Sequence, residues 1–267
     1  LDGGRLHIGH NNVPPIFSGP VTGADGGASV FTKNGGGTLT LSGTIALGNS
    51  GGALNSFAQV NAGTLQIAGT GRLGPDLIQN FSTIENSGTI GAYVTFQTFG
   101  TVTNNATGVI NGTTQNFGTF DNYGTMGSLQ SLGGTAVNHG TGVINGSVQT
   151  FTAFTSTGII KGSISNFAAA LIENQVNGEV GNFQVGANVT LTGTVTGITN
   201  YQGVGSTLLD LARFDTTVGA LNGGGGAIQL GVATLTVDSS RPFSSFGGVI
   251  SGSGGLIKTG AGEQILG

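Results

Sequence analysis

Between Phe81 and Phe183 the chain writes one phrase about six times. An apolar residue precedes a polar one by two positions, a glycine follows, and a second apolar residue comes two positions after the glycine. The polar column runs Asn86, Asn104, Asn122, Asn138, Ser156 and Asn174, with steps of 18, 18, 16, 18 and 18 residues. The glycines are Gly88, Gly108, Gly124, Gly142, Gly158 and Gly178, and the apolar residues after them Ile90, Ile110, Met126, Ile144, Ile160 and Val180. A unit this short cannot bury an apolar face alone, so it must stack on copies of itself to make a core. Within each unit, short stretches with apolar residues at every second place are broken by Gly, Asn and Ser. That is the grammar of strands and turns; no 3.6-residue period is sustained over a helix length. The expectation is an all-β solenoid of parallel strands.

In such a solenoid each strand pairs with its equivalents one coil above and below, about 4.8 Å away, so like residues stack on like. The alternation predicts that position 84 points inward, 85 outward and 86 inward again. Ile84, Val102, Phe120, Phe154 and Ile172 then form one interior column, and Ile90 to Val180 another. The inward asparagines Asn86, Asn104, Asn122, Asn138 and Asn174 are expected to be a structural ladder, each carboxamide bonding the next coil and the turn backbone. Phe81, Phe99, Phe117, Phe151 and Phe167, with Leu132 in the same place, are expected to form an inward aromatic stack. Facing outward, the same column would bring carbohydrate stacking into play. Coils of about 18 to 20 residues predict about 13 coils.

Composition separates this chain from its look-alikes. Of 267 residues 54 are Gly, and only 7% are charged. Disordered Gly-rich chains lack apolar residues, whereas 37% of these are hydrophobic. The glycines do not recur at every third place, which excludes collagen. Seven Lys and Arg are scattered and the net charge is -4, so no basic patch for nucleic acid exists. Without Cys there are no disulfides or thiolate zinc sites, as suits passage through an oxidising compartment. No signal peptide is apparent from Leu1 onward.

The flanks carry a recognisable pattern. Lys33-Asn34-Gly35-Gly36-Gly37-Thr38-Leu39-Thr40-Leu41-Ser42-Gly43 is followed by Val60-Asn61-Ala62-Gly63-Thr64-Leu65. Near the other end, Val218 to Val237 reads as strand-turn-strand, and Phe246 to Gly262, with Gly255-Leu256-Ile257-Lys258-Thr259-Gly260, opens another such unit that Glu263 to Gly267 does not complete. These stretches resemble the passenger-associated repeats of bacterial autotransporters. The resemblance implies a right-handed parallel β-helix, exported through the periplasm to the cell surface or beyond by a C-terminal outer-membrane barrel expected outside this segment. By this reading residues 1–80 and 218–267 are passenger-type repeats, 81–197 regular ladder coils, and 198–217 an irregular coil, all in one β-helix. In 198–217, Ser206 to Asp215 is expected to be a rung with an irregular turn rather than a short helix.

Candidate chemistry is sparse. Polysaccharide lyases and glycosidases need convergent carboxylates, yet Glu85 and Asp121 are expected two coils apart, about 10 Å, with Thr103 between them. Asp210, Arg213 and Asp215 form the one dense charge group and are expected to be a local ion pair. His7, His10 and His139 make a weak metal set, and Gly223 to Gly226 lacks the Gly-Lys-Ser/Thr of a phosphate loop. The expectation is a non-enzyme with no cofactor and no metal. It would be a stiff β-helical stalk or adhesin touching a host or neighbouring-cell surface, protein or glycan, with self-association open to it. A carbohydrate-active β-helix enzyme is the alternative.

Overall fold

A computed structural model describes residues 5–8, 15–23, 29–47, 56–91, 95–152, 154–162, 164–166, 170–172, 182–185, 189–191, 200–203, 205, 207–240 and 242–267. The described strands form an all-β parallel solenoid, as the repeat predicts. It divides into two compact units, residues 1–136 and 137–267.

In the first unit the chain passes through three strands per coil. Leu77–Asn80, Thr83–Asn86 and Thr89–Ile90 make one coil; Thr95–Thr98, Thr101–Asn104 and the start of Val109–Asn116 make the next. Every pairing is parallel, and along the ladder coils the columns largely join like to like. Thr83 faces Thr101 and then Thr119, Ile84 faces Val102 and then Phe120, and Asn86 faces Asn104 and then Asn122. Ile90 faces Ile110, which faces Met126. These apolar side chains are fully buried, at 1% exposure or less. Around Asn111 and Gly112 the register against the next coil slips. The turn after Asn104 is also longer than those after Asn86 and Asn122, and its glycine amide donates to Asn105.

Among the described residues one sheet runs through 13 parallel rungs, one per coil, in line with the about 13 coils expected. The early coils are longer than the later 18-residue ones: Arg5 pairs with Val30, Val30 with Phe57 and Thr38 with Thr64. In that early region Lys33 is buried. Its Nζ donates to the carbonyls of Asn34 at 3.3 Å, Gly35 at 2.8 Å and Ala62 at 2.8 Å. Desolvation pulls its pKa below the ordinary lysine value.

The second unit follows the same logic with less regular turns. Phe154–Ser156, Ala170–Ile172, Val189–Leu191, Leu208–Asp210, Ala227–Gln229 and Val249–Ser251 pair in succession, all parallel. The stretch around Asp210 is thus a rung, as expected. Its odd turn has Ala212 at φ 54°, held by the Asp210 carboxylate, which accepts from the Ala212 amide at 2.8 Å. The expected ion pair in this turn is not what these charges do. Asp215 accepts from the Thr234 amide at 2.7 Å, and Arg213 lies 5.3 Å from the centre of the Phe214 ring. One backbone donor in the turn and one on the following coil satisfy the two carboxylates without the entropy cost of pinning an arginine.

Tyr201 is fully buried in this unit, edge-on to Phe246 with ring centres 6.2 Å apart, and desolvation raises its pKa well above 10. Up to about pH 10 its hydroxyl is protonated folded or unfolded; above that, only the unfolded chain ionises. The contribution is therefore complete below about pH 10 and lost above it, at about 1.4 kcal/mol per pH unit. Denaturant midpoints measured from about pH 9 to 11.5 should fall, and Tyr201→Phe should flatten that fall. An identical slope in the variant would place the titration elsewhere.

Candidate interaction surface

Two inward polar columns define the corners of the first unit. In one, Asn86 Nδ2 donates to Asn104 Oδ1 at 2.8 Å, and Asn104 Nδ2 donates to Asn122 Oδ1 at 2.7 Å. Each amide also secures its corner: Asn86 Oδ1 accepts from the Gly88 amide at 3.2 Å, and Asn104 Nδ2 reaches the Thr125 carbonyl at 3.2 Å. A Cβ on Gly108 would stand 2.3 Å from Asn104 Oδ1 and 2.4 Å from the Asn86 carbonyl, so the amide ladder requires the glycine column beside it. In the second unit Asn138 Nδ2 donates to Ser156 Oγ at 3.1 Å; Asn174 lies outside the described residues.

The other inward column was not anticipated: Asn80, Thr98 and Asn116, all fully buried. Asn80 Nδ2 donates to Thr98 Oγ1 at 3.1 Å and to the Thr101 carbonyl at 3.0 Å, while Asn80 Oδ1 accepts from the Ser82 amide at 3.1 Å. The inside of this corner is thereby filled, and the next residue is turned outward. The expected inward phenylalanine stack is accordingly corrected. Phe81, Phe99, Phe117 and Phe151 are exposed by 45%, 44%, 37% and 48%. Phe167 lies outside the described residues.

The outward ladder is ordered. The Phe81 and Phe99 rings stack at 5.1 Å and the Phe99 and Phe117 rings at 4.9 Å, each pair within 7° of parallel. That spacing is the coil rise itself. Because the rings cover one another's faces, they offer their edges to solvent. On one side runs a glutamine ladder: Gln79 Nε2 donates to Gln97 at 3.1 Å, Gln97 to Gln115 at 3.0 Å and Gln115 to Gln130 at 3.0 Å. On the other side stand Ser82, Gly100 and Gly118, then the outward threonines Thr83, Thr101 and Thr119. A Cβ on Gly100 would meet the Ser82 carbonyl at 2.0 Å, and one on Gly118 the Gly100 carbonyl at 2.1 Å. No larger residue fits there, and the strip between ring edges and threonines stays bare. The sequence signal was the recurrence Gln-x-Phe-x-Thr at Gln79, Gln97 and Gln115.

This surface carries no charged side chain. Its side chains are amide, hydroxyl and phenyl, none of which titrates near neutrality. The nearest carboxylates are Glu85 and Asp121, which take register positions either side of Thr103; Glu85 accepts from Gln66 Nε2 at 3.3 Å. A concavity of about 350 Å³ on the third face is lined by Thr44, Ala46, Arg72, Gly74, Thr89 and Asn111 among others, with Arg72 its single charged residue. Among the described residues no three His, Cys, Asp or Glu side chains gather as for a metal ion. His7 sits on the rung Arg5–Ile8, while His10 is outside the described residues. No described helix is long and apolar enough to cross a membrane.

Among curated proteins, the chain is similar to the adhesin BmaC autotransporter of Brucella suis biovar 1 (strain 1330), with 46% identity over 63 residues. The chain resembles an autotransporter passenger domain. The match takes in 22% of this chain and 2% of the length of that relative. No protein family matches the chain, and no solved structure does. Lys33 and Lys258 hold equivalent places in the two flanking motifs. In the structure both lysines act alike, Lys258 Nζ donating to the carbonyls of Thr259 and Gly260.

Proposed function

We propose that this chain is a non-enzymatic segment of an autotransporter passenger, a stiff β-helical stalk or adhesin displayed on the bacterial surface or released from it. Its partner is a host or neighbouring-cell surface, with self-association a further route to aggregation. The observation that carries this is the repetition of uncharged outward groups, Gln, Phe and Thr, on successive coils of the first unit. A surface that repeats can hold many weak contacts at once, so modest contacts add up to firm attachment. Glycoside cleavage asks for two carboxylates held together, one with a raised pKa; the supply here is eleven acids over 267 residues.

Beads coated with the chain should adhere to cell surfaces or to each other more than bare beads. The same chain incubated with a polysaccharide panel should release no reducing ends or unsaturated sugars. Cleavage that disappears in Glu85→Gln or Asp121→Asn would replace this reading with the enzymatic one.

A further inference from the structure

The corner of the first unit between the phenylalanine ladder and the threonine column has the composition and repeat of a binding site for a polymer lying across the strands. Its apolar wall is the edges of Phe81, Phe99 and Phe117; its floor is the backbone of Ser82, Gly100 and Gly118; its polar wall is Thr83, Thr101 and Thr119. We infer that this strip binds an extended, uncharged glycan chain running along the stacking direction of the coils. This deepens the adhesive reading and rests on it.

Three features select that occupant. Ring spacings of 5.1 and 4.9 Å repeat at the coil rise of about 4.8 Å, which is close to the advance of one pyranose in an equatorially linked, ribbon-like glycan. One sugar then meets one coil. The second feature is ring orientation: the faces are already stacked on each other, leaving edges whose hydrogens carry the positive end of the aromatic quadrupole. Those edges suit hydroxyl and ring oxygens, while the threonine hydroxyls opposite both donate and accept. The third is charge. The strip has none, and the carboxylates nearby, Glu85 and Asp121, lie two residues beyond Thr83 and Thr119 on the same rungs, so an anionic glycan is repelled. A second protein is the poorer fit on area. Three coils of one-side-chain width offer about 150 Å², against about 800 Å² per partner in a standard protein interface.

The test titrates the purified chain calorimetrically with cellotetraose, cellobiose, maltotetraose and heparin. Cellotetraose should bind, cellobiose about tenfold more weakly because it spans fewer coils, and maltotetraose, which curls, more weakly still; heparin should not bind. Phe99→Ala, an exposed truncation, should retain the parent circular dichroism and lower cellotetraose affinity about tenfold. Tyr123→Ala, at the other corner, should leave it unchanged. Cellotetraose binding that survives Phe99→Ala, or tight heparin binding, overturns the assignment. If no oligosaccharide binds while bead adhesion persists and is lost in Phe99→Ala, the occupant is a protein surface such as a second copy; the glycan assignment fails and adhesion stands. Loss of adhesion itself in the parent chain would remove the reading beneath both.

Discussion

Ile110→Asp should lower the stability of the first unit by about 4 kcal/mol, and the melting temperature by about 10 °C. Ile110 is 1% exposed and sits between Ile90 and Met126 on adjacent coils. The variant loses the transfer free energy and packing of a buried aliphatic chain, and it must then bury a carboxyl in an apolar column or reopen the coil to hydrate it. Glu85→Gln serves as the comparison, because position 85 faces outward and Gln66 can keep bonding to an amide there. Its effect should stay within about 0.5 kcal/mol. Equal small losses for both, read from thermal melts, would reject the inward and outward register described above.

Asn104→Leu should cost about 2 to 3 kcal/mol. Asn104 is the middle of the amide ladder: it accepts from Asn86 at 2.8 Å and donates to Asn122 at 2.7 Å, to the Gly108 carbonyl at 3.3 Å and to the Thr125 carbonyl at 3.2 Å. Leucine has nearly the right volume but takes away a buried acceptor on one side and a buried donor on the other. The asymmetry of hydrogen-bond energetics makes such half-removal costly. Asn105→Ala, one residue on and outward, loses a single bond to Ser87 Oγ and should cost under about 1 kcal/mol. If the two variants unfold at the same denaturant concentration, the ladder contributes no net stability and its role is confined to fixing which coil pairs with which.

The comparison of these two positions also shows what the sequence made legible. Spacing of 18 residues with Asn and Ile in fixed relation sufficed for the solenoid, the register and the direction of Ile84, Glu85 and Asn86, because period-two alternation and stacking leave few other solutions. The phenylalanine column faces outward, against the expectation, for a physical reason. Hydrophobicity argued for the interior, but the corner interior at this point is occupied by the Asn80, Thr98 and Asn116 column, which satisfies the turn backbone. A residue just after an inward cap is thrown outward, as Ser87, Asn105 and Tyr123 are after the other ladder. Applied to Asn80 and Asn116, that rule places Phe81 and Phe117 outside, and with them the bare strip beside them.

The lysine buried at position 33 has a consequence for how such a chain comes to rest. Two of its three carbonyl partners belong to its own turn, while the third, Ala62, arrives 29 residues later. The ammonium is thus half-latched when its own coil is laid down and fully latched once the next coil covers it. Every pairing in the first unit likewise joins segments about one coil apart in the chain, so growth proceeds by nearest neighbours along a line. Each new coil meets a ready template in the one before it. The closing of each turn by the succeeding one acts as a pawl, making backward slippage progressively more expensive.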